Sequence, residues 1–465
     1  MGILDSIRNG MRTWLGVYDT GYDEFRERQE KTALERDYRL GFQRRMLKTK
    51  TGQPDDNIFV NFVGLLVDRS VSGLFGEGIT FELPGGNIET KVKGKKVIKQ
   101  SNEQIYIEKV WDLNKQEILL HKSALLASES GTGYIKVQPD GIVDKDGKTY
   151  PRLIPLDPLY MTMETTPHDC DTVIRYIIRY NYMRGDDEIA FKEVTELNDK
   201  GKWEVITYED SGSGYVELSR ETWEYGWPPI IHWQNLPTAG SPYGQADITD
   251  DVIMLQDRLN FIASNISKII RFHAHPKTYT INANPPKENS WGGDQMIQFS
   301  GSDVVVSNLE MQSDLASSQA FFLSMRQALF DITRTVDIDS IADKLGALTN
   351  FGLKVLYQDA LSKINTKREL YGDALIELNS RLLEMNGMNN DAGEILWPDV
   401  LPVNGKEQSE ELKVDIELGL TTPQTASAIK GYDWEVEQER KAENSENNMS
   451  VGEAILTQFQ RGQEQ

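Results

Sequence analysis

Residues 243–272 read YGQADITDDVIMLQDRLNFIASNISKIIRF, and this stretch decides the class of fold. Ile248, Val252, Leu255, Leu259, Ile262, Ile266 and Ile269 step by 4, 3, 4, 3, 4 and 3 residues. A 3.5-residue repeat keeps one apolar stripe facing a partner helix. Asp247, Asp250 and Asp251 open the segment and Lys268 with Arg271 closes it, as the helix dipole favours. At 1.5 Å per residue the helix would be roughly 45 Å long. Burying its seven seam side chains at about 1.5–3 kcal/mol each represents on the order of 10–20 kcal/mol of gross stabilisation, an upper bound. A stripe that large must be covered. Asp257 falls off the seam and is expected to tolerate substitution.

The partner lies downstream. Residues 274–312 contain Pro276, Pro285, Pro286, the pair Gly292-Gly293 and the strand-like runs YTIN and DVVVSN, so a small β-containing unit is expected there. Helix resumes from about Asp314, where Leu315, Phe322, Met325, Leu329, Ile332 and Val336 are spaced by 3s and 4s or their sums. Two seamed helices joined by a compact excursion make an antiparallel hairpin with a tip. The next segment, VDIDSIADKLGALTN, carries Asp337, Asp339 and Asp343, with Gly346 as its hinge. Thr349 would cap one further helix of about 37 residues, roughly 55 Å, that stops at Gly387. Short helices are expected at about 407–418, 423–430 and 434–444, punctuated by Gly419, Thr422-Pro423, Gly431 and Asp433. From Asn444 the chain is polar, with one weak helix near 451–460.

The first half has a different texture. Residues 22–50 are charged and read as one or two exposed helices. Phe59, Phe62, Val63, Leu66, Val67, Val71 and Leu74 follow a helical period that ends at Gly76 and Gly78. Helical stretches near 102–128 precede short strands separated by PDG at 139–141, DKDGK at 144–148, NDKG at 198–201 and EDSGSG at 209–214. The fold class is therefore α+β, mainly helical.

Composition bounds the function. The chain has 465 residues, 39% of them hydrophobic, and a net charge of −22. Such a surface repels nucleic acid on average and argues against a sequence-reading binder. The single cysteine, Cys170, has no intrachain partner, and the most apolar run, Ile58 to Val67, is too short to cross a bilayer. The expectation is a protein that is neither secreted nor membrane-spanning. At the N-terminus Ile3, Leu4, Ile7, Met11, Trp14 and Leu15 suit a short amphipathic helix. Met1-Gly2 with Ser6 also matches a myristoylation pattern, which short sequences meet by chance.

No motif carries catalysis. Gly141 to Gly147-Lys148-Thr149 encloses five residues where a phosphate-binding loop needs four, so DKDGK reads as a hairpin turn. Asp144 to Gly147 lacks the remaining acidic ligands of a calcium loop. His273 and His275 could share a metal only if they lay on a strand, and no carboxylate or cysteine cluster accompanies them. His121 and His168 stand alone, and His232 in an apolar run reads as a core imidazole. There is no Gly-x-Ser-x-Gly elbow and no carboxylate pair in a distinctive context. The expectation is no enzyme, no cofactor and no metal.

The order of these parts resembles the portal (head-to-tail connector) proteins of tailed bacteriophages, in particular the SPP1 Gp6-like portal family. DNIFVNFVGLLVDRSVSGLFGEGITF, at 56–81, is similar to that family's N-terminal wing helix and following strand. LASESGTGYIKV (126–137) and LIPLDPLYM (153–161) are similar to its wing strands. PIIHWQNLPTAGSPYGQADITDDVIMLQDRLNFIASNI (229–266) is similar to its strand, loop and first stem helix. ADKLGALTNFGLKVLYQDALSKINTKRELYGDALIELNSRLL (342–383) is similar to its channel loop and long helix. Members often carry Ser-Gly and then Ala-Leu at the long-helix start, where this chain has Thr349-Asn350 and Gly352-Leu353; Gly352 should weaken that turn by about 1 kcal/mol relative to Ala.

The resemblance implies a wing at 1–240, stem helices at 241–272 and 313–335, a clip at 273–312, a channel loop at 336–350, a long wing helix with its return at 351–404 and a crown with tail at 405–465. It implies a homo-oligomeric ring, usually of twelve subunits, at one capsid vertex of the virion, assembled in the host cytoplasm. The ring would conduct double-stranded viral DNA without reading bases, in packaging and ejection. It would meet terminase, a head–tail adaptor, and capsid and scaffold proteins, but no membrane. Asp337, Asp339, Asp343, Lys344 and Gly346 would then face DNA. Ile248, Val252, Leu255, Leu259, Ile262, Ile266, Phe322, Met325 and Leu329 would form the stem seam and oligomer contact. A wall making 6–10 basic phosphate contacts would grip DNA at low salt, so acidity suits sliding. The runner-up is another viral or cellular structural ring without catalytic activity.

Overall fold

A computed structural model of the chain describes residues 20–48, 55–85, 87–92, 95–210, 212, 214–274, 277–282, 302–309, 315–339, 350–401, 405–432, 434, 436–438 and 440–441. In chain order the elements are α1 (Thr20–Leu40), α2 (Phe62–Phe75), β1 (Thr80–Glu82), β2 (Asn87–Val92), β3 (Lys95–Gln100), α3 (Asn102–Leu113) and α4 (Gln116–Ser130). Then come β4 (Thr132–Val143), β5 (Thr149–Pro155), β6 (Met161–Thr166), β7 (Asp169–Arg184), β8 (Asp187–Leu197), β9 (Trp203–Asp210), β10 (Val216–Thr222) and β11 (Ile230–Gln234). The second half holds α5 (Asp250–Ala274), β12 (Lys277–Ile281), β13 (Val305–Leu309), α6 (Leu315–Ile332), α7 (Asn350–Leu356), α8 (Gln358–Met385), β14 (Glu394–Leu396), α9 (Gly405–Glu417) and α10 (Pro423–Ile429). The fold is α+β, with helices and most of the strands in the first half and mostly helices in the second. The chain divides into two compact units, Met1–Asp343 with Leu356–Val400, and Lys344–Val355 with Leu401–Gln465.

In the larger unit β10-β9-β8-β7-β6 form an antiparallel meander, and β11-β4-β5 form a second sheet. The turns follow the sequence. Asp144 N donates to Lys148 O at 2.8 Å, and Asn198 N to Lys202 O at 2.8 Å, closing the hairpins at DKDGK and NDKG. PDG does not turn the chain: it is a bulge inside β4, where Asp140 takes φ 50° and the register against β5 shifts between Gln138 and Ile142. Two apolar cores result. One lies under the meander, around Met161, Met163, Tyr176, Trp203 and Ile230. The larger gathers α2, α3, α4, α5, α6 and α8 around Trp111, Val67, Leu74, Leu259, Phe330 and Leu378.

Four helix expectations change. α1 is a single helix whose Phe25, Thr32, Glu35 and Tyr38 are buried, because one face packs on the body while charges cover the other. α2 starts at Phe62, capped by the Asn61 side chain on Gly64 N at 3.1 Å, which leaves Phe59 in an extended segment. α5 starts at Asp250, so Ile248 precedes it, although it is buried all the same. The long third helix is two: α7 and α8 are separated at Tyr357 (φ −92°, ψ 6°), and residues 344–355 group with the C-terminal unit. In that unit α9 and α10 occupy the expected positions, with Gly419 and Gly431 at positive φ after them. Residues 1–19, including the myristoylation pattern, and 442–465 lie outside the described residues.

Candidate functional site

The hairpin expected from the heptad spacing is present: α5 and α6 pack on each other, and between them β12 and β13 pair antiparallel from Lys277↔Leu309 to Ile281↔Val305. Its root is set by a close backbone crossing. Gly131, at φ 84°, lies so near Gly244 that a Cβ would stand 2.1 Å from the Gly244 carbonyl oxygen, which only glycine avoids. Asn235 N donates to Gly131 O at 2.8 Å and Asp247 N to Ser128 O at 2.9 Å, so the strand and loop before α5 are pinned to the end of α4.

A buried ionic cluster occupies the same root. Asp247 Oδ2 lies 2.5 Å from Lys367 Nζ and Oδ1 lies 2.8 Å from Lys363 Nζ. Lys367 also donates to Ser70 Oγ at 2.8 Å, and Lys363 to Thr333 O at 3.2 Å. Four parts of the chain thus meet on three charges: the segment leading into α5, the residue after α6, α2 and α8. Burial alone would raise the Asp247 carboxyl, yet the ammonium groups of Lys367 and Lys363 outweigh it and hold its pKa well below the usual carboxylate range. Burial pushes the Lys367 ammonium down to about 8, against the attraction of Asp247. Beside the cluster, Thr333, Lys363 and Asp251 line a cavity of about 410 Å³.

The seam is covered by its own chain. Val252, Leu259, Leu329 and Ile248 are buried, as is Ile262, while Leu255, Phe322 and Met325 pack half-buried against the same core and Ile266 is half-buried. These side chains hold the hairpin to the body. Of the seam residues Ile332 stays open, and the other exposed apolar side chains of the two helices are off the seam: Met254 at 70% exposure, Leu323 at 51%, Ile270 at 51% and Phe321 at 47%.

A second stripe of α5 was missed by periodicity. Gln256, Asn260 and Ser264, spaced by four, are buried and act as a hydrogen-bonding edge for the extended residues before α2. Gln256 Nε2 donates to Val60 O at 2.6 Å, Val60 N to Asn260 Oδ1 at 3.0 Å, and Ile58 N to Ser264 Oγ at 2.9 Å. Arg271 and Asp56 close the strap with an ion pair of 2.5 Å. The i, i+4, i+8 polar spacing was the available signal; likewise Lys363 and Lys367 stand four apart. Asp257 is not a free surface residue either, since Tyr38 Oη donates to its Oδ1 at 2.7 Å.

Of the acidic segment after α6, Asp337 and Asp339 are described and Asp343, Lys344 and Gly346 lie outside the described residues. Arg326 of α6 reaches both aspartates, at 2.5 and 2.6 Å, and Arg69 Nη1 donates to Val336 O at 2.9 Å. The expected acidity is therefore offset locally by a cation from the hairpin. Arg334, at φ 54°, turns the chain out of α6.

The remaining candidates separate. His232 Nδ1 is 2.9 Å from Tyr176 Oη, and burial lowers its pKa to about 4, as for a core imidazole. His273 lies in α5 rather than on a strand, and His275 is outside the described residues. Among the described residues no three His, Cys, Asp or Glu side chains are placed to hold a metal ion, and no helix is long and apolar enough to cross a membrane. Compared with known proteins, the family model for phage portal protein, SPP1 Gp6-like, matches residues 18–448. No curated protein matches the chain.

Proposed function

The chain belongs to the SPP1 Gp6-like family of phage portal proteins, structural proteins of the capsid vertex that act in DNA packaging as head–tail connectors, and from that membership we propose how its parts divide the work. The match over residues 18–448 carries the proposal. Twelve copies form a ring. The α5–α6 hairpin is the stem around the channel, residues 273–312 are the clip, and residues 336–350 are the channel loop. Residues 1–240 with 351–404 make the wing, and 405–465 the crown. The clip docks terminase during packaging and the head–tail adaptor afterwards, and the ring conducts DNA outward in ejection. Capsid and scaffold proteins meet the outer surface, and assembly proceeds in the host cytoplasm before the protein enters the virion.

Several features support this division. A long helical hairpin ending in a two-stranded tip suits a stem and clip, and its open apolar residues suit contact with neighbouring copies. The buried Asp247–Lys363–Lys367 cluster ties the stem root to α8, so a force on the stem passes to the wing through buried charges whose separation would leave each uncompensated. Arg326 ties the start of the channel loop to the stem. Loop charges face DNA without reading bases, because a weakly gripping wall favours sliding over holding.

Light scattering of the purified protein, with end-on negative-stain images, tests the ring. A mass many times 52.8 kDa with a central channel is expected; a strictly monomeric species at micromolar concentration in several salts overturns it. Deleting residues 340–346 should leave rings intact and reduce the DNA packaged or retained per capsid. Packaging at the unmodified level would reduce the segment to a linker.

A further inference from the structure

Along α1, Arg28, Lys31 and Glu35 stand three and four residues apart, so their side chains share one side of the helix. They line a cavity of about 450 Å³, which falls in the size range of small-molecule sites, about 300–1,000 Å³. The opposite wall comes from Thr132 and Tyr134 at the start of β4 and from residues between Ser241 and Thr249, the segment leading into α5. Tyr134, Ala246 and Ile248 are buried and make part of that wall apolar.

The polar groups at this cavity are mainly donors. The Arg28 guanidinium carbon lies 3.7 Å from the centre of the Tyr243 ring, and Nη2 donates to Met161 O at 3.4 Å. Ser241 Oγ accepts from Tyr243 N at 3.1 Å, which leaves its own hydroxyl proton to donate. Glu35 is only 2% exposed, yet its Oε1 takes part in no hydrogen bond. Lys31 Nζ stands 3.9 Å from it, beyond hydrogen-bond reach. The other charges facing Glu35 are Asp250 at the start of α5 and Glu129 on α4, the latter held by Arg36 and Arg39. Burial, with those two carboxylates adding, raises the Glu35 pKa to about 8, so at neutral pH it offers an O–H. Charge points the same way. With Glu35 neutral the lining carries the two positive charges of Arg28 and Lys31, and with Glu35 ionised it still carries one, in a chain of net charge −22.

We propose that this cavity binds a small aliphatic carboxylate, its head accepting from Glu35, Lys31 and Arg28 and its body lying against Ile248 and Tyr134. A carboxylate accepts a charge-assisted hydrogen bond from a neutral carboxylic acid without setting two like charges together. An ammonium ligand would instead meet Arg28 and Lys31 as like charges. The bound anion would bridge α1, β4 and the segment leading into α5. The site lies within one chain and does not depend on ring assembly.

Calorimetric titration with butyrate, butylammonium and inorganic phosphate at matched ionic strength tests this, with the thermal midpoint as a second readout. Butyrate should bind and raise the midpoint beyond the effect of matched NaCl. Its affinity should be level below pH 7 and fall about tenfold between pH 7 and 9, as Glu35 gives up the proton it donates. Burial pushes the Tyr134 and Tyr243 hydroxyls upward, away from that window. Glu35→Gln keeps a donor and should retain binding while removing the pH dependence. Lys31→Gln, at an exposed position, should weaken butyrate several-fold at every pH. Unchanged far-UV circular dichroism shows that both variants fold. Binding of butylammonium, or of phosphate at least as tightly as butyrate, overturns the proposal. So does a butyrate affinity that neither variant alters, or a midpoint that butyrate moves no further than NaCl does.

Discussion

Lys367 Nζ and Asp247 Oδ2 lie 2.5 Å apart with both side chains buried, although 120 residues separate them in the chain. The contact joins the segment leading into α5 to the long helix α8. A buried pair is weak evidence of net stability, but removing one partner leaves a buried charge, which typically costs about 3–5 kcal/mol. Asp247→Asn, which leaves both Lys363 and Lys367 without their carboxylate, should therefore lower the denaturation midpoint strongly. Asp247→Asn combined with Lys367→Met should be milder than Asp247→Asn alone. Chemical denaturation of the three proteins checks the order; a double variant weaker than the single would refute it.

The pH dependence of Glu35 has a definite sign. Glu35 is buried, and burial, with Asp250 and Glu129 adding, raises its pKa from 4.5 to about 8 despite Lys31 at 3.9 Å. The folded chain thus holds this proton more tightly than the unfolded one, so its contribution is complete below about pH 4.5 and is lost as the pH rises toward 8. Glu35→Gln should flatten stability between those limits. Parallel slopes for the two proteins over pH 5–8 would show that Glu35 is ionised throughout.

Asp247 runs the other way. Its carboxylate is held low by Lys367 and Lys363, so its stabilisation is present above about pH 4 and disappears only on strong acidification through the folded-state pKa. Between pH 3 and 5, Asp247→Asn should lose stability less steeply than the unmodified protein does. Identical acid limbs would contradict the ion cluster.

Asn260 binds the strap before α2 on two sides, accepting from Val60 N at 3.0 Å and donating to Gln43 Oε1 at 2.5 Å. Asn260→Leu should cost about 1–3 kcal/mol by leaving a buried amide unmade. Amide exchange at Ile58 and Val60 should quicken before that of the α2 core. Unchanged protection there would mean that the strap is held elsewhere.

Two substitutions on α5 separate folding from assembly. Leu259 is fully buried and Met254 is 70% exposed. Leu259→Ala should destabilise the chain by about 2–5 kcal/mol. Met254→Asp should leave the folded chain intact and reduce the share of protein found in rings by light scattering. Equal effects on stability would show that the helix faces are misassigned.

Much of this was readable in advance because it is local. A 3.5-residue period, turn residues such as Gly147 and Gly201, and helix stops such as Gly419 and Gly431 act over a few positions, and the order of the elements was enough to identify the family. What covers an apolar stripe is not local. The spacing of Ile248 to Ile269 required a partner, yet could not distinguish a neighbouring copy from α6 and α2 of the same chain; only packing decided that Leu259 belongs to the core and Met254 to the surface. The same holds for charge. Asp337 and Asp339 read as a bare acidic loop until the fold brought Arg326 to them, and Asp247 read as a helix-start residue until Lys363 and Lys367 arrived from over a hundred positions away. Desolvation and pairing depend on distances in space, which the sequence determines only through the fold as a whole.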